Sequence, residues 1–308
     1  MLKRAREFFE QKNVLEVDTP ILSRFAVSDH QIESIEVGMA LDHDTAWYLQ
    51  TSPEYCMKRL LCAGYPDIYE ICKVFRDAEN GRHHQPEFTM VEWYRLNFTL
   101  KEIMQETVDF ITCVIDQDRM TKPPVFLSYA QAFSEFAGVD CSTTDAETLA
   151  ELLDADDALR ASVGDARAEW LNLVLAEKVS SRFPSDQLTV LHHYPASQAA
   201  LARLCPDDAS VADRFEVFAG PLELANGYVE LLDVKEQIER FEADQTSREL
   251  SGRPRRPIDD EFVAALESGL PPCAGAAVGF DRVQMLSEGF DDIRRILNFP
   301  FSLRDTHD

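Results

Sequence analysis

The chain lacks any apolar run of transmembrane length, and its first residues (MLKRAREFFEQ) read as an amphipathic helix rather than a secretion signal. A membrane-spanning or secreted protein is therefore disfavoured. Its seven cysteines are odd in number and form no CxxC pair, which argues against disulfides and a zinc knuckle and for a reducing cytoplasm. Buried thiols are their simplest fate. There is no GxGxxG and no P-loop, so a parallel nucleotide-binding sheet is disfavoured too. Lysine is scarce, at 8 of 30 basic residues, and the formal net charge is −25. Such a surface repels phosphate backbones, and the densest basic cluster, RPRRP (Arg253 to Pro257), is short. An acid-rich, lysine-poor composition fits a salt-tolerant protein, whose stability is expected to rise in molar salt. Denaturation midpoints that show no gain there would remove the idea.

What is present suffices for a globular fold: 308 residues, 45% of them hydrophobic, enough to bury a sizeable core. Residues 1–13 read as a helix with Leu2, Ala5, Phe8 and Phe9 on one face, followed by a short strand, Val14 to Val17. Ala46 to Gln50 reads as another strand. Ser52 is expected to cap a helix with Pro53 at its first position and Gly64 at its close, which puts Glu54 in the first turn. From Leu100 to about Arg182 the pattern is helical, broken near Lys122–Pro124, with a small helical insertion at about 128–186. Strand signals return at Leu188 to His192 and Phe215 to Phe218. The segment GPLELANGYVELLD (220–233) carries a turn signal at Asn226-Gly227 between strand-like halves. Asp233 caps a helix to about Leu250, another spans Asp259 to Ser268, and AGAAVGFDRVQMLSEG is an apolar strand entering a helix at Asp281-Arg282. Hairpin-joined strands and segregated helices predict an α+β fold with an antiparallel sheet flanked by helices.

The most informative stretch is VFRDAENGRHHQPEFTMVEWYR (74–95). Strands Ile68 to Arg76 and Glu87 to Leu96 form a hairpin around a polar loop. Glu92 and Tyr94, two residues apart on a strand, share one face. The hairpin offers cations to an anion at its loop, and a carboxylate with a phenol to a cation beside it. That pattern suits a nucleotide next to an amine.

With VLEVDTPILS (14–23) before it and GFDRVQML (279–286) after it, this hairpin resembles motifs one, two and three of the class II aminoacyl-tRNA synthetases, in order. TSPEYCMKRLL (51–61), HQPEFTMVEWYR (84–95) and ELANGYVEL (223–231) resemble the lysyl branch, so that five motifs cover nearly the whole chain. Only a short helix precedes motif one, which implies a single catalytic domain over 1–308 without an anticodon-binding domain. HHYPASQAAL (192–201) is similar to the lysyl-synthetase paralogues that attach (R)-β-lysine to elongation factor P. Ala277 stands where lysyl synthetases have glycine; a methyl at the floor of a packed pocket reshapes it and shifts choice between lysine isomers.

The resemblance implies activation of (R)-β-lysine by ATP as an acyl-adenylate, then transfer to a lysine of elongation factor P, by a homodimer that uses Mg²⁺ and no tRNA. Arg76 and Arg282 are the implied catalytic residues, on the α- and γ-phosphate. The implied ATP site comprises Arg76, Asp77, Glu79, His84, Gln85, Glu223, Leu224, Gly279 and Arg282, with Glu223 also the metal ligand. Ser52, Pro53, Glu54, Glu92, Tyr94, Asn226, Glu230 and Ala277 are implied for the amino acid: Glu230, Glu92 and Tyr94 at the ε-ammonium, Glu54 at the second amine. Ala78 replaces the motif-two Glu of lysyl synthetases, and Glu79 is the candidate to take over its adenine contact. Alternation predicts Tyr228, Glu230 and Leu232 on one face. Structural alternatives are surface ion pairs for the arginines, a first-turn helix acid for Glu54 and solvent-facing strand positions for Glu92 and Glu230. Two other functions fit the same motifs: a truncated lysyl synthetase-like enzyme using α-lysine for another acceptor, and a non-catalytic regulatory paralogue.

Overall fold

The computed structural model describes residues 1–29, 31–40 and 42–302. Helix α1 (Leu2–Gln11) leads into β1 (Leu15–Glu16), and a small sheet of β2 (Leu22–Ser23), β3 (Glu36–Met39) and β4 (Asp42–Leu49) follows. Next come α2 (Glu54–Cys62), the hairpin β5 (Ile68–Phe75) and β6 (Glu87–Leu96), and α3 (Leu100–Val114). Strand β7 (Val125–Ser128) precedes four short helices, α4 (Tyr129–Ala132), α5 (Ala146–Leu152), α6 (Asp157–Val163) and α7 (Arg167–Val174). Strands β8 (Leu188–Pro195), β9 (Leu204–Cys205), β10 (Asp208–Ala219) and β11 (Leu222–Val229) run in series. Helices α8 (Val234–Leu250) and α9 (Asp260–Gly269) come before β12 (Cys273–Gly279) and α10 (Phe280–Glu288).

The main sheet has the order β1-β5-β6-β12-β11-β10-β8-β7, with β9 added to β10. Its centre is antiparallel, as expected, but β1–β5 and β7–β8 are parallel, so the sheet is mixed. Parallel neighbours need a long crossover, and both have one: the small sheet with α2 in the first case, the short helices in the second. β7 lies in the stretch expected to be helical. Its four residues are too few for a period to register in the sequence.

Alternation divides the sheet into a core face and a site face. Val91, Trp93, Phe215, Val217, Ala276 and Val278 are buried against α1, α3 and α10. Trp93 contacts Phe9 and Phe110 at ring separations of 5.4 and 5.3 Å. Each large side chain so buried contributes ~1.5–3 kcal/mol. Thr99 and Glu102 close a reciprocal capping box at the start of α3, which fixes where β6 ends and the helix departs. A second core, around Tyr129, Phe133, Trp170 and Leu171, holds the short helices against Tyr194 and Phe218.

The expected turn at Asn226-Gly227 does not form; β11 runs through both residues. A methyl on Gly227 would lie 2.6 Å from the Gly275 carbonyl oxygen and 2.7 Å from the Phe215 ring. The glycine there permits close packing between strands rather than reversal. The chain turns instead at Gly220, where φ is +57°. Gly64 (φ +89°) follows the end of α2 as expected. The start of α2 differs slightly: Pro53 occupies the cap position, and Ser52 Oγ accepts from the Glu54 amide at 3.0 Å from one residue further out.

Candidate active site

Strand register builds the site. Antiparallel partners share a face, and Glu70, Glu92, Ala277, Asn226 and Glu216 are consecutive cross-strand partners from β5 through β6, β12 and β11 to β10. The next row contains Tyr94, Gly275, Tyr228 and Arg214. Gly275 is needed because a methyl would come within 2.5 Å of the Tyr94 ring and 3.0 Å of Glu230 Oε1. Over these rows opens a cavity of about 610 Å³. It is walled by α2, the β5–β6 loop, the segment after β8 and the start of α10.

At one end of the cavity, Glu92 is held by the Tyr94 hydroxyl at 2.6 Å and the Ser52 hydroxyl at 2.7 Å. The Tyr228 hydroxyl donates to Glu54 at 2.6 Å. Behind these groups sits Lys58, 2% exposed, its ammonium 2.6 Å from Glu54 and 2.5 Å from Glu230. Glu230 is buried as well, and its Oε1 has no hydrogen-bond partner among the described residues. Burial, then the charge of Glu54, pushes Glu92 up to about 7. Burial pushes Glu230 up to about 8 against the pull of Lys58. Burial alone would lower the Lys58 pKa, but Glu230 and Glu54 outweigh it and raise it. Three carboxylates around one ammonium leave an excess of negative charge.

The other end brings two arginines to the cavity surface beside Glu79 and Glu223. Arg76 follows β5, its guanidinium 5.2 Å from the Phe88 ring centroid and 3.7 Å from Glu79. Its buried Nε has no partner among the described residues. Arg282, in the first turn of α10, donates to the carbonyls of His83 (3.2 Å) and Glu223 (2.9 Å) and lies 2.6 Å from His84 Nε2. Loss of solvent around the ring, then the Arg282 charge, lowers the His84 pKa. Glu216 is engaged by Tyr194 at 2.6 Å and Arg214 at 2.7 Å, and burial followed by the Glu223 charge pushes it up to about 7.

Of the sequence-expected residues, Arg76, Glu79, His84, Gln85, Glu223, Leu224, Gly279 and Arg282 line this cavity, as do Ser52, Glu54, Glu92, Tyr94, Asn226, Glu230 and Ala277. Asp77 and Pro53 do not: Asp77 is spent on its own turn, accepting from the Ala78 amide at 2.8 Å, and Pro53 opens α2. Gln85 is buried and committed to Asn80, the His84 carbonyl and the Phe301 amide, so it shapes the loop. Leu232 lies past the end of β11, 42% exposed and away from the cavity lining. Lys58, Tyr228 as a donor to Glu54, and the Tyr194–Arg214–Glu216 group are not among the residues expected from sequence. The spacing of Glu54 and Lys58, four residues apart on a helix, was an available signal. All seven cysteines are free, and no described helix is long and apolar enough to cross a membrane.

An antiparallel sheet centre carrying this hairpin and the β12–α10 strand-to-helix junction defines a class II synthetase catalytic fold. The chain belongs to the tRNA synthetases of class II (D, K and N), whose family model matches residues 1–302. Within that family it is 41% identical to the elongation factor P–(R)-β-lysine ligase of Klebsiella pneumoniae (strain 342), over 97% of this chain and 94% of that protein. The ligase of the same name from Proteus mirabilis (strain HI4320) is 41% identical over 97% and 92%. That of Photorhabdus laumondii is 40% identical over 97% and 94%.

Proposed function

We propose that this chain is an ATP-dependent ligase that activates (R)-β-lysine as an acyl-adenylate and transfers it to a lysine side chain of elongation factor P. The observation that carries this reading is one cavity with two ends: Glu54, Glu92 and Glu230 converge at one, and Arg76 and Arg282 reach the other. The resemblance to ligases of that name supports the substrate and acceptor. The carboxylate of the amino acid attacks the α-phosphorus, the bond to the bridging oxygen breaks, and pyrophosphate leaves. Arg76 offsets charge on the α-phosphate, and Arg282 holds the leaving end. The acceptor amine then attacks the carbonyl carbon and AMP departs. Glu92, Tyr94 and Glu230 take the ε-ammonium, and Glu54 takes the second amine.

Mg²⁺ fits this donor set. Glu223 is partly exposed, Glu216 beside it carries a raised pKa that a nearby cation would relieve, and this ion suits one or two carboxylates plus phosphate oxygens. Glu223 would hold it, with Glu216 adding negative charge behind, and it would neutralise the phosphates. A homodimer is part of the proposal, and Leu2, Leu15 and Ile21, exposed near the motif-one strand, are apolar surface for it.

Incubation with ATP, labelled (R)-β-lysine and elongation factor P tests the reading: the factor should gain one lysyl mass, and tRNA offered instead should stay uncharged. Transfer to tRNA would refute it. Ligand binding should also release protons, because an ammonium at Glu92 favours the carboxylate. Affinity is expected to rise from pH 6 to pH 8, by up to about tenfold per unit for each proton released. Calorimetry in buffers of different ionisation enthalpy reads this directly, and no buffer dependence would contradict it. Ala277, between Glu92 and Asn226 in the cross-strand row, is the floor position. Ala277→Gly should move the kcat/KM ratio toward α-lysine by about 10-fold or more, within the range one methyl group supplies.

A further inference from the structure

Lys58 is not part of the cavity lining, although Glu54, Tyr228 and Glu230 are. It reaches the two carboxylates from behind, 2.5–2.6 Å from each, with its ammonium 5.4 Å from the Tyr228 ring centroid. The groups facing this assembly are Glu54, Tyr55 and Cys62 from α2, Glu92 and Tyr94 from β6, Tyr228 and Glu230 from β11 and its end, and Cys273 from β12. Among them Lys58 is the one cation, against Glu54, Glu92 and Glu230. With all three acids ionised, the socket carries three negative charges and one positive, a net of two negative. A full set of three would bind a two-ammonium ligand only with a charge left over, in a place where an uncompensated buried charge is costly.

We propose that Lys58 is a specificity-determining positioning residue: its ammonium cancels one of three converging carboxylates and leaves a socket of two net negative charges that the two ammonium groups of the amino acid fill. Its contribution acts through Glu54 and Glu230, which it holds with their remaining oxygens toward the cavity. This inference rests on the lysine-activating reading above and deepens it. Loss of the Lys58 charge makes Glu230 and Glu92 harder to ionise, so the acid limb of the KM profile for (R)-β-lysine moves to higher pH.

The test is KM and kcat for (R)-β-lysine-dependent pyrophosphate exchange from pH 6 to 9, in the wild type, Lys58→Met, and the charge-balanced pair Lys58→Met with Glu230→Gln. Lys58→Met should shift the acid limb upward by about 1–3 pH units, the usual effect of one nearby charge, with KM recovering at high pH. The pair should return the limb to near its wild-type position even though KM stays raised. A KM raised by the same factor at every pH in Lys58→Met would reduce Lys58 to packing and overturn the proposal. If the single variant does not fold, the pair should. Failure of both to fold would overturn the proposal as well, since restored charge balance would then not restore the site. No exchange in the wild type with either lysine would instead refute the lysine-activating reading itself.

Discussion

Arg76→Ala is expected to lower kcat for (R)-β-lysine-dependent pyrophosphate exchange by about 10²–10³-fold, the loss typical when a preorganised donor to a developing charge is removed. The guanidinium is positioned for this by local structure. β5 ends at Phe75, and Arg76 is placed against Phe88 of the returning strand, so its planar group is oriented before any ligand arrives. Arg76→Lys should recover only part of the rate, because an ammonium cannot make the same paired contacts. The side chain is partly exposed and its ionic neighbour Glu79 is 3.7 Å away, so the unfolding midpoint should change little. A loss below about 10-fold with the fold intact would place phosphate stabilisation elsewhere.

Glu230→Gln is expected to raise KM for (R)-β-lysine by ~10²-fold, with a smaller effect on kcat. Removing one charged partner from a buried, hydrogen-bonded ion pair costs about 2–5 kcal/mol, and ~1.4 kcal/mol is tenfold. Glu230 is among the most buried acids in the cavity, and its Oε1 is left for a ligand donor. The fold should survive because Lys58 keeps Glu54 at 2.6 Å. An isolated buried charge would instead cost about 3–5 kcal/mol of stability. Steady-state kinetics beside a thermal melt separates the two effects: an unchanged KM would remove Glu230 from the ammonium socket.

The parts of this site legible in sequence are those where local rules and tertiary packing agree. The β5–β6 hairpin is such a case. Its strands are bounded by Gly64 on one side and Thr99 on the other, and the period-two placement of Glu92 and Tyr94 maps directly onto their 2.6 Å contact. Asn226-Gly227 shows the opposite. The dipeptide has strong turn chemistry, yet Gly227 is there to let β11 press against Phe215 and Gly275, a constraint that exists only once the sheet is assembled. Lys58 was hidden for a related reason. A Glu–Lys pair four residues apart on a helix is ordinarily a solvated surface contact, and only the contacts of α2 with α9, Tyr94, Tyr228 and Glu230 turn it into a buried one. Glu216 belongs to the strand segment read correctly as Phe215 to Phe218, but its role follows from cross-strand register with Asn226, which no single strand contains.

This cavity is expected to adenylate a lysine-type amino acid with a preference for the β-isomer. ATP–pyrophosphate exchange measured with (R)-β-lysine and with α-lysine, in the absence of any acceptor, addresses it most directly. Exchange that depends on the amino acid and has a higher kcat/KM for (R)-β-lysine is the predicted result. A preference for α-lysine would contradict the choice of isomer, and no exchange with either would contradict adenylation itself and leave a binding protein without the chemistry.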